Sequence, residues 1–199
     1  MALVDRVKAI LLMPKHEWGV IDSEPATVGS LYSGYAIPLA AIGPLAQFIG
    51  FSVIGVSVLG SSLKVPMGTS LTWALVQYCG NLVGVFVLAL IIDALAPSFG
   101  GQKNQIQALK VAVYSSTAAW IAGIFAIIPA LAVLGILGLY SLYLLFLGLP
   151  LLMKSPQEKA IGYVVVSVIA AAVVFIVVGA LANKIAGFGG WGRPQLFPQ

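Results

Sequence analysis

Gln77 and Asn81 stand one helical turn apart inside a stretch that is otherwise almost wholly apolar. Residues four apart share a helix face, so the two amides can bond a neighbouring helix or line a polar path. Gln47 lies in an earlier apolar stretch, and Asp93 lies near the end of the one that holds the amides. Tyr114, Ser115, Ser116 and Thr117 place four consecutive hydroxyls in the next. An acid in a membrane-embedded segment is a candidate carrier of a proton or an ion. Asp93 is close enough to the boundary to snorkel, or to pair with Lys103 or Lys110. Hydroxyls need no ligand, because Ser and Thr can bond their own helix carbonyls. These residues are read as either a polar path or interhelical glue, where a buried amide contributes about 1 kcal/mol.

Other chemistry is poorly served. His16 is the single histidine, with Glu17, Asp22 and Glu24 nearby. Zinc ligand sets normally include Cys or several His residues, so no metal is expected. Cys79 is the single cysteine and reads as a small buried hydrophobe. A nucleophile needs a base within hydrogen-bond reach. No Ser-His pair, paired Asp or ligand cluster occurs in the apolar stretches, so neither an enzyme nor a bound cofactor is expected.

The elements that must carry these residues are long and apolar. The 199 residues are 60% hydrophobic and 8% charged, with mean hydropathy +1.06, whereas soluble domains carry about 25% charged residues. Apolar stretches cover residues 33–60, 70–96, 108–128, 130–153 and 160–182. A bilayer-spanning helix needs about 20 such residues. The chain is therefore read as an all-α polytopic membrane bundle of five transmembrane helices, with the lipid bilayer as its first partner. A short N-terminal amphipathic helix precedes them. The organisation is an N-terminal segment over 1–30, a membrane domain over 31–184 and an extramembrane tail over 185–199. Phe188, Trp191 and Phe197 in that tail could rest on the membrane surface. The formal charge of +4 is thinly spread, which gives no nucleic-acid signal. Residues 1–14 mix apolar and charged residues, so no cleavable signal peptide is expected.

Positive charge orients the spans. With the N-terminus inside, the inner segments hold Arg6, Lys8, Lys15, Lys103, Lys110, Lys154 and Lys159. The outer segments hold Lys64, Lys184 and Arg193. The expectation is N-terminus in and C-terminus out. Leu3, Val4, Val7, Ile10 and Leu11 recur at helical spacing, with Asp5, Arg6 and Lys8 elsewhere and Pro14 as a stop. Such a helix can lie flat at the headgroups. Pro38 and Pro44 should bend the first span. The link between the third and fourth stretches holds Pro129 and no charge; the alternative to two spans is one re-entrant or kinked element, which the combined length disfavours. Ser155, Pro156 and Glu158 suggest a helix start, with Ser155 as N-cap.

Several runs carry a family resemblance. They are residues 108–115, residues 139–153 with Gly148-Leu149-Pro150, and residues 156–163. Trp18-Gly19-Val20-Ile21 and the proline-containing first span belong with them. The chain resembles the bacterial branch of the Yip family over nearly its whole length. The resemblance implies five spans and a cytoplasmic N-terminus. Eukaryotic members bind Rab-type GTPases. Before their first span they carry an acidic, Tyr-Gly-Pro-containing motif that this chain lacks, which speaks against a Rab-type partner. The expected function is a non-enzymatic scaffold or accessory protein of the inner membrane. It would act through helix packing and through binding other membrane proteins or its own copies. The alternative is a small oligomeric channel or transporter that uses the polar residues of spans one to three.

Overall fold

Apolar length sets the architecture. The computed structural model describes residues 2–58 and 61–185, with side chains over 2–55 and 64–177. Among these residues, five helices are long and apolar enough to cross a membrane: Val28–Ile54, Met67–Phe99, Gln105–Ile127, Pro129–Leu152 and Gln157–Val177. The chain is an all-α, integral membrane bundle. The one local exception among the described residues is an antiparallel ribbon between spans one and two, β1 (Val56–Val58) against β2 (Ser61–Leu63). The expected tail, with Phe188, Trp191 and Phe197, lies outside the described residues.

Two helices precede the spans, α1 (Leu3–Leu12) and α2 (Pro14–Ser23). The first span starts earlier than hydropathy alone places it. Thr27 and Ser30 form a reciprocal capping box that opens the helix at Val28. It then bends repeatedly. A π-turn at Tyr32–Ala36 precedes Pro38, and another occupies Gly50–Ile54. Proline removes a backbone donor and crowds the preceding turn, and a π-turn accommodates that loss.

The third span is the centre of the bundle. Half of its apolar window (50%) is buried, against 11% for the fourth. It turns at Ser116 and continues in a tighter 3-10 form from Gly123 to Ile127. Ile128 is extended, at φ −114° and ψ 106°, as a residue before proline prefers, and Pro129 opens the fourth span. The chain therefore makes two spans here and not one long kinked element.

Tyrosines and amides tie the spans together. The Tyr32 hydroxyl donates to the Leu82 carbonyl at 2.9 Å, and Tyr78 donates to that of Ile37 at 3.2 Å. The Ala119 N–H, at the bend, donates to the Ser141 hydroxyl at 2.9 Å. Tyr163 of the fifth span donates to the Ile92 carbonyl and stacks on Phe99 at 4.8 Å. Such bonds matter because lipid offers no competing water and little hydrophobic drive between helices. The fifth span opens at Gln157 with Pro156 as its N-cap. Ser155 is not the cap, because Lys154 takes a left-handed backbone (φ 54°) and the Ser155 N–H turns back to the Pro150 carbonyl.

Spans one and three touch through glycine. A Cβ at Gly123 would sit 2.7 Å from the Gly43 Cα, whereas one at Gly135 would meet nothing within 4 Å. Gly123→Ala should therefore force two backbones apart and destabilise the bundle by about 1–3 kcal/mol. Gly135→Ala should leave stability unchanged. Thermal unfolding in mild detergent reads both. Equal midpoints for the two variants would show that the close approach is not required.

Candidate functional site

The helices α1 and α2 pack as a cap on one end of the bundle. Ile10 of α1 and Trp18 and Ile21 of α2 are fully buried, and Leu3, Val7 and Leu11 pack half-buried against the same core. Val4 is 59% exposed and points away. The buried face of α1 includes Arg6, one turn from Leu3 and Ile10, although its charge suggests a solvent-facing side.

Charge explains this placement. Arg6 bonds Glu17, which is buried, and both oxygens of Glu24. Burial alone would lower the Arg6 pKa. The Glu24 hydrogen bond and the charges of Glu17 and Glu24 outweigh it, and the net shift is upward. A raised pKa contributes stability that is fully present below the ordinary arginine value and is lost only as pH rises through the still higher folded-state pKa. Arg6 therefore adds no pH dependence across the physiological range. Its guanidinium carbon also lies 5.8 Å from the centre of the Tyr114 ring.

Lys110 is the second buried cation. It enters from the third span, and its ammonium donates to the Ile21, Asp22 and Glu24 carbonyls at 2.8, 3.5 and 2.6 Å. The last carbonyls of a helix lack intrahelical partners, and the end of the helix dipole favours a cation. Tyr140 of the fourth span does the same for α1, bonding the Leu11 carbonyl at 3.1 Å. Asp22 is bonded by Gln107 at 2.9 Å and by Lys154 at 2.6 Å. The carboxylates that read from sequence as weak metal ligands are thus fasteners. A cavity of 230 Å³ lies among Arg6, Glu24, Tyr35, Lys110 and Tyr114.

A second cavity, of 570 Å³, opens between spans one, two, three and five. Gln77, Asn81 and Ser116 line it, with Gly43, Gly80 and Phe175 among the apolar walls. Asn81 donates to the Ala40 carbonyl at 3.4 Å. Gln77 is exposed, and its side-chain amide makes no hydrogen bond among the described residues.

The sequence candidates therefore divide. Gln77, Asn81 and Ser116 share the cavity. Ser115 and Ser116 bond the Ala112 carbonyl, and Thr117 bonds that of Tyr114 and the Tyr35 hydroxyl. Tyr114 belongs to the cap, edge-on to Tyr35 at 4.7 Å and to Trp18 at 6.5 Å. Gln47 lines neither cavity. Asp93 forms no ion pair with Lys103 or Lys110 among the described residues, and its Oδ1 is buried without a partner. Among the described residues, neither of these two cavities holds all of them.

Residues 8–179 match the Yip1 domain family. The chain belongs to the Yip1 family. It is 27% identical over 181 residues to inner membrane protein YohC of Escherichia coli strain K12, covering 88% of this chain and 93% of that protein. The protein of the same name from E. coli O6:H1 matches to the same extent. No solved structure matches significantly. Membership indicates no enzymatic chemistry.

Sequence reasoning missed Arg6, Glu17, Trp18, Glu24 and Lys110 as one unit. Two signals could have found them: Lys110 lies within an apolar stretch, and Arg6 keeps helical spacing with Leu3 and Ile10. Removing Arg6 alone leaves Glu17 buried and unpaired. Arg6→Met should cost about 3–5 kcal/mol, and Arg6→Met with Glu17→Leu should recover much of that. Limited proteolysis between α1 and α2, together with thermal unfolding, reads both. A double variant no better than the single would show that the pair does not act as one unit.

Proposed function

We propose that this Yip1 family protein is a non-enzymatic scaffold of the bacterial inner membrane, cytoplasmic at its N-terminus, that docks a transmembrane helix of another protein along its second span. The orientation rests on the basic residues that gather at the capped end: Arg6, Lys15, Lys110 and Lys154. The inner-membrane assignment rests on the name of the E. coli relatives.

One observation carries the docking reading: the exposed amide of Gln77, unbonded among the described residues. The second span's helix runs from Met67 to Leu95 over 29 residues, so Gln77 lies about 15 Å along a helix of about 43 Å. That is one turn from its midpoint at Asn81. An amide facing lipid at that depth costs free energy unless another helix supplies a partner. Gly80 lines the same cavity, and a Cβ there would meet nothing within 4 Å, so a second helix can approach closely. The transport reading retains the shared lining of Gln77, Asn81 and Ser116. It loses support from Asp93, Gln47 and the bonded hydroxyls, which lie elsewhere.

The test is purification in mild detergent with quantitative mass spectrometry of co-purifying proteins, comparing wild type with Gln77→Leu, Gly80→Leu and the exposed control Val83→Leu. A stoichiometric membrane partner kept by wild type and Val83→Leu, and reduced about tenfold by the other two, supports docking. A clean homo-oligomer with no partner sinks it and favours transport. Flux that depends on Asn81 and Asp93 would then decide the matter.

A further inference from the structure

We propose that a pocket between α2 and the link from the fourth span to the fifth seats the phosphate headgroup of an anionic phospholipid. The pocket has a volume of 340 Å³ and is lined by Lys15, Trp18, Leu147, Pro150, Leu151, Ser155 and Gln157. Its polar groups can all act as donors: an ammonium, an indole N–H, a hydroxyl and an amide. The indole N–H of Trp18 and the hydroxyl of Ser155 are both buried and lack any partner. Trp18 is 0% exposed and Ser155 is 8% exposed. A buried donor left unpaired is costly, so two beside one pocket call for a ligand rich in acceptors.

Charge selects an anion. No carboxylate lines the pocket. Glu17 is engaged by Arg6, and Asp22 by Gln107 and Lys154. Lys15 forms no ion pair among the described residues, and it stands in the first turn of α2, whose N-cap Met13 supplies no side-chain bond.

Position selects a lipid. The pocket lies where the fourth span ends and the fifth begins, which is headgroup depth. Leu147 and Leu151 form its apolar side, and Leu151 is 39% exposed on the bundle surface. An acyl chain can follow these leucines while the phosphate meets Lys15, Trp18, Ser155 and Gln157. This is separate from the span-two groove, and neither inference depends on the other.

Native mass spectrometry of the full chain, titrated with phosphatidylglycerol or phosphatidylcholine, tests the proposal. Wild type should retain phosphatidylglycerol in preference to phosphatidylcholine. Lys15→Gln and Ser155→Ala should each weaken that retention about tenfold, with Lys8→Gln, at an exposed cation of α1, unchanged. All variants should keep the wild-type melting point in lipid-free zwitterionic detergent. Equal retention of phosphatidylglycerol by wild type, Lys15→Gln and Ser155→Ala overturns the site, as does equal retention of the two lipids. Inorganic phosphate added alone decides the source. Stabilisation by phosphate without lipid, lost in Ser155→Ala, would assign the pocket to a soluble phosphate compound and overturn the lipid assignment.

Discussion

A charge drawn out of water must find its counter-charge or its hydrogen bonds within the protein, and this constraint organises the capped end of the bundle. Arg6 and Lys110 are both nearly inaccessible. An isolated buried ion costs several kcal/mol. Arg6 meets that cost with two carboxylates, and Lys110 meets it with three backbone carbonyls at the end of α2. Neither arrangement exists until α1 and α2 are seated. Docking of the cap and burial of the charges are therefore one event, and the apolar contacts of Ile10, Trp18 and Ile21 form with it. The fit extends to the fourth span, where a Cβ at Gly148 would sit 2.7 Å from the Trp18 ring.

The same constraint shapes the spans. A helix that bends inside lipid frees backbone groups that water cannot reach. At the bend of the third span side chains take them up. The Ala119 N–H beyond the turn at Ser116 finds Ser141, and the hydroxyls of Ser115, Ser116 and Thr117 return to carbonyls one turn back. The consecutive hydroxyls thus belong to the bend itself. Their chemistry is spent on the backbone, which leaves Gln77 as the amide of the central cavity without a bond.

Span number and helical class were legible in the sequence because they depend on apolar length, which lipid enforces residue by residue. The break before Pro129 was legible for the same local reason. The cap was not, because its partners lie far apart: Lys110 is 86 residues from Glu24 and Gln107 is 85 from Asp22. A periodicity argument ranks Arg6 by its polarity and assigns it to the wet side. Only the position of Glu17 and Glu24 makes the buried side cheaper. The start of the first span was misjudged by a few residues because hydropathy does not register a Thr27–Ser30 capping box. Ser155 had the right type for a cap, yet the backbone of Lys154 turns it elsewhere.

The third span joins the two regions that could do work. Tyr114 faces the cap, in contact with the rings of Trp18 and Tyr35 and beneath Arg6. Two residues later, Ser116 lines the central cavity with Ala119 and Trp120. The turn that separates these faces is the bend at Ser116, braced by Tyr35 on Thr117 at 2.8 Å and by Ser141 on Ala119. Both braces come from spans that also contact the cap or its neighbours: Tyr35 borders the charged cavity, and Tyr140 bonds α1. A change in the angle of this bend cannot be confined to one side of it. Tyr114 beside Arg6 and Ser116 beside the cavity are two residues apart on one packed turn, so a change in its angle would move both. The bend is therefore the piece of backbone that borders both the central groove and the cap.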